Sequence, residues 1–337
     1  MSDDRMATLF HPFAQGLLEL PPDARVLFLG AEPGFRLPAG FPRDIVAVQP
    51  FRPHFLALER QGVDVRPAAE GEGFDAALLL CGRFRAQNEA RLADALLRVR
   101  EGGLIAVAGG KTDGVSSLCK RAAAMLAIDG RASKHHGMVF WLTRPAMDDA
   151  RRAAQSLSPV SDPLVEGRFR TGPGLFSADA VDPASRLLAD NLPDDLAGEI
   201  ADFGAGWGYL SARLAELPGV AAIDLYEANR EALEAARENL AGARQTLGFH
   251  WIDLIGEDIG KRYDSIVMNP PFHSGRAAEP ELGRGMIRAA AKALKRGGRL
   301  FMVANRALPY ETALRDSFST HGELLRDAHF KVLWGKR

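Results

Sequence analysis

The chain has 337 residues, with 42 Lys and Arg, 43 Asp and Glu, and a formal net charge of −1. This length predicts two domains of ordinary size, and the balanced charge means that any nucleic-acid contact must come from a local basic face. Two cysteines, Cys81 and Cys119, are too few for a disulfide framework, and the scattered histidines predict no metal site. No apolar run reaches the roughly 20 residues of a membrane span, and the N-terminus lacks a signal-peptide pattern. We therefore expect a cytoplasmic protein without membrane contact.

Apolar strands alternate with helical patterns through the first half of the chain. Predicted strands cover residues 24–30, 45–48, 75–80 and 104–108, and a helix is predicted over 87–100. Strands that alternate with helices in this way predict βαβ units around a parallel sheet.

The second half repeats this plan. Strands are predicted over residues 198–204, 222–226, 249–252, 264–268 and 299–304, and helices over 210–217, 230–240 and 281–294. FDAALLL (74–80) parallels YDSIVMN (263–269), and VREGGLIAVA (99–108) parallels LKRGGRLFMVA (294–304). A long-period internal duplication accounts for these parallels. The fold class predicted is α/β, with two tandem Rossmann-like domains.

The two predicted domains cover residues 1–150 and 151–337. A linker is predicted over 145–165, where Pro145, Pro159 and Pro163 stand among several Ser and Asp residues. After it, Asp182-Pro183 indicates a capped helix start.

A rigid polar corner follows the strand that ends at Met268. Pro270 and Pro271 lack backbone N–H groups and cannot continue a central ladder, so they form a stiff turn that holds Asn269 close to Phe272. A flat group with an exocyclic amine could donate to the Asn269 side-chain oxygen and to the Pro270 carbonyl, and stack on Phe272. Positioning is what such a weak nucleophile lacks. The alternative is a proline-rich loop with a capping Asn.

A glycine turn, GAGWG (204–208), lies between a predicted strand and a helix, where glycines let the backbone approach a ligand. The spacing differs from Gly-x-Gly-x-x-Gly, which argues against a nicotinamide cofactor. Glu227 ends the next strand, where an acid commonly holds two ribose hydroxyls. Asp253 ends a further strand and could accept from an adenine amino group. The alternatives are a helix N-terminal charge for Glu227 and a turn residue for Asp253.

The first half differs where this chemistry would lie. Its glycine turn is GAEPG (30–34), and Leu80-Cys81-Gly82-Arg83-Phe84 stands in place of the Asn-Pro-Pro corner. The sequence therefore predicts that the N-terminal copy has lost the site.

With these motifs in view, the second half resembles class I S-adenosylmethionine-dependent methyltransferases that carry an NPPF amine-methylation motif. GLFS (174–177), NPPFHSG (269–275) and the ending ANRALPY…FKVLW resemble the bacterial RsmC-type rRNA guanine-N2 methyltransferases. The resemblance covers nearly the whole chain. It implies that the N-terminal half is a degenerate methyltransferase domain that supports folding and positioning of the active half.

The resemblance also implies a role for each motif residue. Asp202, Gly204 and Gly206 would line the methionine part of S-adenosylmethionine, with Glu227 on the ribose and Asp253 on the adenine. The target amine and its base would be held by Asn269, Pro270 and Phe272. Two roles stay open: Trp207 shapes the cofactor pocket or packs, and His273 contacts a phosphate or packs in its loop.

The predicted function is methylation of the exocyclic N2 amine of a guanine in 16S rRNA, within a small ribosomal subunit or an assembly intermediate. One alternative keeps the chemistry but changes the target to a large-subunit rRNA guanine, an adenine N6 or a protein glutamine. Another is a non-catalytic RNA-binding assembly factor. Predicted RNA contacts in the N-terminal half are Arg83, Arg85, Lys111 and Lys134.

Overall fold

The structure, a computed structural model, describes residues 2–157, 164–271, 273–274, 277–278 and 280–337. The chain divides into two compact units, residues 1–161 and 162–337. Among the helices of the described ranges, none is long and apolar enough to cross a membrane. The same ranges contain no group of three or more His, Cys, Asp or Glu side chains that could hold a metal ion.

The first unit is a seven-stranded sheet of order β3-β2-β1-β4-β5-β7-β6, with helices on both faces. The first five strands in this order are parallel, and β7 runs antiparallel to both its neighbours. Its strands are β1 (Val26–Leu29), β2 (Ile45–Val48), β3 (Asp64–Arg66), β4 (Phe74–Leu80), β5 (Val99–Gly110), β6 (Gly130–Lys134) and β7 (Gly137–Thr143). Its helices are α1 (Ser2–Ala14), α2 (Arg52–Arg60), α3 (Arg85–Arg98), α4 (Val115–Ala123) and α5 (Met147–Leu157).

The second unit repeats this order as β10-β9-β8-β11-β14-β16-β15. Its strands are β8 (Gly198–Phe203), β9 (Val220–Glu227), β10 (Thr246–Trp251), β11 (Tyr263–Met268), β14 (Leu294–Asn305), β15 (Thr320–Arg326) and β16 (Phe330–Lys336). The short strands β12 (His273–Ser274) and β13 (Ala277–Ala278) pair with each other. The helices are α6 (Pro183–Ala189), α7 (Tyr209–Leu214), α8 (Arg230–Asn239), α9 (Pro280–Ala293) and α10 (Glu311–Ser317).

The repeated strand order confirms the predicted tandem α/β fold, and individual contacts repeat as well. The Asp75 carboxylate accepts a hydrogen bond from the Arg25 backbone N–H at 2.8 Å, and the Asp264 carboxylate accepts one from the Glu199 N–H at 2.9 Å. Each aspartate is the second residue of its segment, FDAALLL in the first unit and YDSIVMN in the second. Each therefore ties the start of its unit's central strand to the strand beside it.

The predicted linker over 145–165 is wrong for its central part, which forms α5. Ala150, Ala153, Ala154 and Leu157 are buried on one face of α5, in the core of the first unit. Their spacing is helical, and burial of this face stabilises the helix. The linker was predicted because prolines stand on both sides of this segment. The two units therefore divide after α5, not within it at residue 150.

The central strands are buried because helices cover both faces of each sheet. Every residue of β1 and β2 is buried, as is every residue of β11 except Asp264. Such strands have apolar residues on both faces, which explains why they stand out as continuous apolar runs in the sequence. Both cysteines lie in the core of the first unit, and burial raises the pKa of Cys81 to about 12.

Candidate active site

The polar residues of the second unit gather where three parallel strands end. Phe203 pairs with Tyr226 on one side and with Met268 on the other, so β8, β9 and β11 end within one residue of one another. The next residues are Gly204, Glu227 and Asn269, at the carboxyl edge of the sheet. This edge is where open α/β sheets bind ligands.

The glycine turn wraps around an open space at this edge. Gly204 and Gly206 have φ angles of +75° and +54°, in a backbone region that residues with a Cβ atom rarely adopt. A Cβ atom at Gly206 would meet no atom within 4 Å, whereas one at Gly204 would lie 4.0 Å from the Asn269 carbonyl oxygen. The turn therefore lies next to the Asn-Pro-Pro corner and leaves room beside Gly206.

Glu227 closes one side of this space. Its two carboxylate oxygens accept hydrogen bonds at 2.8 Å, one from the Gly206 N–H and one from the Asn229 N–H. Burial raises the pKa of Glu227, and these two backbone hydrogen bonds act in the opposite direction. The backbone thus fixes the orientation of the carboxylate, whose remaining lone pairs can accept hydrogen bonds from hydroxyl groups.

Asp202 is fully buried below the turn. Its Oδ2 accepts a hydrogen bond from the Ser211 hydroxyl at 2.7 Å, while its Oδ1 has no hydrogen-bond partner among the described residues. Burial raises the pKa of Asp202 to about 7, the Ser211 hydrogen bond lowers it, and the Glu227 charge raises it further. An unpaired buried acceptor of this kind is costly unless a ligand satisfies it, and a cationic group would do so best.

Asn269 is the second residue with an unsatisfied buried oxygen. Its Nδ2 donates to the Asp182 carboxylate at 2.9 Å and to the Ser185 hydroxyl at 2.8 Å. Its Oδ1 is buried and has no partner in the part of the chain that the structure describes. Pro270 beside it is buried, whereas Pro271 is exposed. The corner therefore holds one buried acceptor in a fixed orientation, on a residue whose backbone carbonyl lies close to Gly204 of the glycine turn.

Asp182 and Ser185 were not predicted to touch the site. The sequence predicted a capped helix start at Asp182-Pro183, and this prediction is confirmed because the Asp182 side chain accepts from the Ser185 N–H. Their contact with Asn269 links positions 87 and 84 residues apart in the sequence. No local pattern carries such a contact.

Asp253 lies in a turn directly after β10. Its Oδ1 accepts a hydrogen bond from the Ile255 N–H at 3.0 Å, and its own N–H donates to Glu257 at 2.9 Å. The preceding Ile252 N–H donates to the Glu227 carbonyl at 3.1 Å, so Asp253 lies close to the end of β9. Asp253 therefore makes the hydrogen bonds of a turn residue, and its contact with adenine stays a prediction.

Trp207 packs in the core of the second unit. It is buried against Phe169, with ring centroids 5.2 Å apart, and its indole N–H donates to the Phe176 carbonyl at 3.0 Å. This supports the packing interpretation and ties the glycine turn to the GLFS segment. The predictions for Phe272 and for the His273 side chain lie outside the described residues.

Together, the strand order and this edge define a doubly wound α/β methyltransferase domain. Residues 166–334 match the model of the methyltransferase small domain family. A Serratia proteamaculans protein, "Ribosomal RNA small subunit methyltransferase C", is 30% identical over 255 residues, which are 74% of this chain and 71% of the relative. The chain therefore belongs to the methyltransferase small domain family and, within it, to the family of small subunit methyltransferase C.

Two further relatives differ in how much of the chain they match. The Erwinia tasmaniensis protein of the same name is 38% identical over 170 residues, which are 50% of this chain. In that match the chain spans about half the length of the relative, 49%. A solved structure, "T. Thermophilus 16S rRNA N2 G1207 methyltransferase (RsmC) in complex with AdoMet and Guanosine", has a TM-score of 0.76 and 25% identity. The match covers 97% of this chain and 91% of the chain in the solved structure, so the likeness extends over both units.

Proposed function

We propose that the chain transfers a methyl group from S-adenosylmethionine to the exocyclic N2 amine of a guanine in 16S rRNA. The observation that carries this proposal is the Asn269 side chain. Its Nδ2 is engaged by Asp182 and Ser185, its buried Oδ1 has no partner among the described residues, and its backbone carbonyl lies near the glycine turn. An acceptor in this position suits an amine that must be held and oriented while it attacks an electrophile.

The cofactor assignment rests on how well the residues of the carboxyl edge fit that molecule. The unpaired Asp202 Oδ1 would accept from the ammonium group of the methionine part, and Glu227 would accept from ribose hydroxyls. Gly204 and Gly206 leave the backbone open to close approach. When bound, S-adenosylmethionine supplies an electrophilic methyl group on a positively charged sulfur. Contact between Asp253 and the adenine belongs to the same proposal.

The Asn-Pro-Pro corner would supply the positioning that a guanine amine lacks. The amine nitrogen would donate its two hydrogens to Asn269 Oδ1 and to the Pro270 carbonyl, which leaves its lone pair free to attack. The N–C bond would form as the S–C bond of the cofactor breaks and its sulfur leaves as a neutral thioether, and the two acceptors would stabilise the positive charge that develops on the nitrogen. The methylated amine then loses one proton to water, so no dedicated base is needed. Stacking on Phe272 would hold a base that has been removed from its helix.

The substrate assignment draws on the relatives. Several are named small-subunit rRNA methyltransferases, and the similar solved structure is described as an enzyme acting on guanine N2 of 16S rRNA. The proposed partner is accordingly rRNA within a small ribosomal subunit or an assembly intermediate, and the proposed location is the cytoplasm. No metal ion is needed for this chemistry. Cofactor binding is assigned to the second unit alone.

The test is methyl transfer by the full-length chain. Small subunits and 16S rRNA that lack the modification are incubated with S-adenosylmethionine carrying a labelled methyl group, and the product is mapped by nuclease digestion and mass spectrometry. We expect one N2-methylguanosine in 16S rRNA. Label on adenine N6 or on a glutamine amide would replace the proposed substrate with that target.

The matched variants are Asn269→Ala and Asn305→Ala. Removal of one preorganised partner typically costs on the order of 10²–10³ in rate, so we expect that loss in Asn269→Ala with cofactor affinity retained. Asn305 also ends a strand at the same edge, and within the described part of the chain its side chain accepts from the Ala307 N–H. Asn305→Ala should therefore transfer methyl groups at the wild-type rate. Wild-type turnover in Asn269→Ala would refute this corner as the active site.

A further inference from the structure

The start of α6 holds the side chain of Asn269 in one orientation. Asp182 Oδ2 and the Ser185 hydroxyl oxygen both accept from Asn269 Nδ2, at 2.9 and 2.8 Å. An amide –NH2 group has two hydrogens, so these two contacts use its full donor capacity. The other end of the amide, Oδ1, is buried without a partner in the described ranges.

The chemistry of Asp182 decides which end of the Asn269 amide faces it. A carboxylate can only accept hydrogen bonds, so the –NH2 end, not the oxygen, must lie against Asp182. A flipped amide would place two acceptors against each other at hydrogen-bond distance. The orientation that leaves Oδ1 without a partner in the described ranges is thus imposed by the Asp182 carboxylate.

The same carboxylate oxygen is fixed to the helix. Asp182 Oδ2 also accepts from the Ser185 N–H at 2.8 Å, which caps the first turn of α6. Ala184 and Leu188, on the same helix, are fully buried in the core of the second unit. The two acceptors therefore lie on a packed element, and their positions are as rigid as that core.

We propose that Asp182 and Ser185 are positioning residues that act on methyl transfer through Asn269. This inference rests on the function proposed above. The two residues hold Oδ1 toward the target amine, and the negative charge of the Asp182 carboxylate beside Nδ2 displaces electron density in the amide toward Oδ1. An oxygen polarised in this way stabilises the positive charge that develops on the attacking nitrogen.

The cleanest test is Ser185→Ala. This change removes one acceptor and keeps the Ser185 backbone N–H, so the cap of α6 is retained. We expect the single-turnover rate of methyl transfer to fall roughly three- to tenfold, the effect of one net hydrogen bond, while affinity for S-adenosylmethionine stays within about twofold. Ser185→Thr, which keeps the hydroxyl, should restore the rate. The control is Ser319→Ala, because the Ser319 hydroxyl donates to a strand carbonyl in the same unit.

Substitutions of Asp182 extend the test. Asp182→Asn keeps a good helix cap and an oxygen acceptor but loses the charge, and we expect an effect similar to that of Ser185→Ala. Asp182→Ala removes cap and acceptor together, and we expect a loss of roughly ten- to a hundredfold in rate. Its folding is checked by thermal unfolding. If Asp182→Ala does not fold, the other two variants still decide the question.

A double-mutant cycle separates positioning from a general structural effect. Because Ser185 acts through Asn269, Ser185→Ala should cost nothing further in the Asn269→Ala background. Equal losses in both backgrounds would overturn the proposal, as would a parallel fall in cofactor affinity. Wild-type rates in Ser185→Ala and Asp182→Asn, with Asn269→Ala impaired, would overturn it and leave the proposed function standing. Wild-type rates in all three variants would overturn the proposed active site itself.

Discussion

Glu32 in the first unit and Gly206 in the second lie at the same point of the repeated turn, two residues after its first glycine. Glu32 carries a side chain whose carboxylate pairs with Arg5 at 2.6 and 2.9 Å. At Gly206 a Cβ would meet nothing within 4 Å. In the first unit, the Arg5–Glu32 ion pair thus occupies the space that stays open beside Gly206 in the second unit.

A second difference concerns the residue at the end of the second strand of each unit, which is Gln49 in the first unit and Glu227 in the second. Val48 and Tyr226 hold the same register opposite the first strands, so Gln49 corresponds to Glu227. Gln49 is buried, donates to the Ala31 carbonyl at 2.6 Å and accepts from the Phe51 N–H at 3.0 Å. A glutamine bound in this way keeps the fold of the turn but offers no carboxylate to a ribose.

A third difference lies beside the first glycine of each turn. The Arg91 side chain lies 2.6 Å from the place of a Cβ on Gly30 and donates to the Leu80 carbonyl at 2.9 Å. Beside Gly204 the corresponding neighbour is the Met286 methyl group, at 3.5 Å. These three pairs show that the two units keep the same strand order while their side chains at this edge differ.

The largest effect is expected when the second unit receives the first unit's residue, in Gly206→Glu. The new side chain enters the open space, so cofactor binding should fall below detection in calorimetry. The positive φ of +54° adds roughly 1–2 kcal/mol of strain. Gly260→Glu is the matched control, because Gly260 has a similar φ of +67° and open surroundings. Normal binding in Gly206→Glu would break the comparison.

Exchange of glutamate and glutamine between positions 227 and 49 tests the second difference. Glu227→Gln should weaken binding of S-adenosylmethionine roughly ten- to a hundredfold, since hydrogen bonds to a charged group contribute about 1.5–3 kcal/mol. The reverse change, Gln49→Glu, should create no second cofactor site, because the Arg5–Glu32 pair and Arg91 still occupy the space beside the glycine turn of the first unit. A second molecule bound by Gln49→Glu would contradict this account.

The first unit is expected to contribute charge instead of a cofactor site. Arg83, Arg85, Lys111 and Lys134 are all exposed and lie at or near the carboxyl edge of its sheet. Reversing all four charges should weaken RNA binding tenfold or more and flatten its salt dependence. The control reverses four exposed cations on its helices, Arg60, Lys120, Arg151 and Arg152. If both sets change the binding isotherms equally, no RNA site lies at this edge.

The smallest effect expected is a pH dependence that arises from Asp202 in the second unit. Burial raises the pKa of Asp202 to about 7, so the folded ligand-free protein holds a proton that the unfolded chain has lost. Stability should therefore decrease as pH rises from about 4 to 7 and level off above it. Because a cationic ligand favours the ionised carboxylate, cofactor affinity should rise up to roughly tenfold between pH 6 and 8.

Calorimetry in buffers of different ionisation enthalpy measures the proton released when the cofactor binds. Asp202→Asn cannot ionise, so the rise in cofactor affinity should disappear in this variant, and the decrease in stability between pH 4 and 7 should become smaller by the contribution of Asp202. Persistence of the affinity profile in Asp202→Asn would assign the proton to another group.

Local patterns predicted most of the sheet and the outline of the site. Buried strands such as β1 and β11 are continuous apolar runs, and the glycine turn and the prolines after Asn269 are marked by residue type. The β15–β16 hairpin was missed because β15 reads THGELLR, in which every residue except the half-buried Gly322 and Leu325 is exposed, so no apolar run or clear alternation marks the strand. The Asn269–Asp182 contact was missed because only the fold brings positions 87 residues apart together.

The central claim, that the second unit alone binds the cofactor, is tested most directly by calorimetric titration of the full-length chain with S-adenosylmethionine. We predict one molecule bound per chain, no detectable binding in Gly206→Glu, and unchanged binding in Gly260→Glu. Two equivalent molecules per chain, or binding that persists in Gly206→Glu, would contradict the claim.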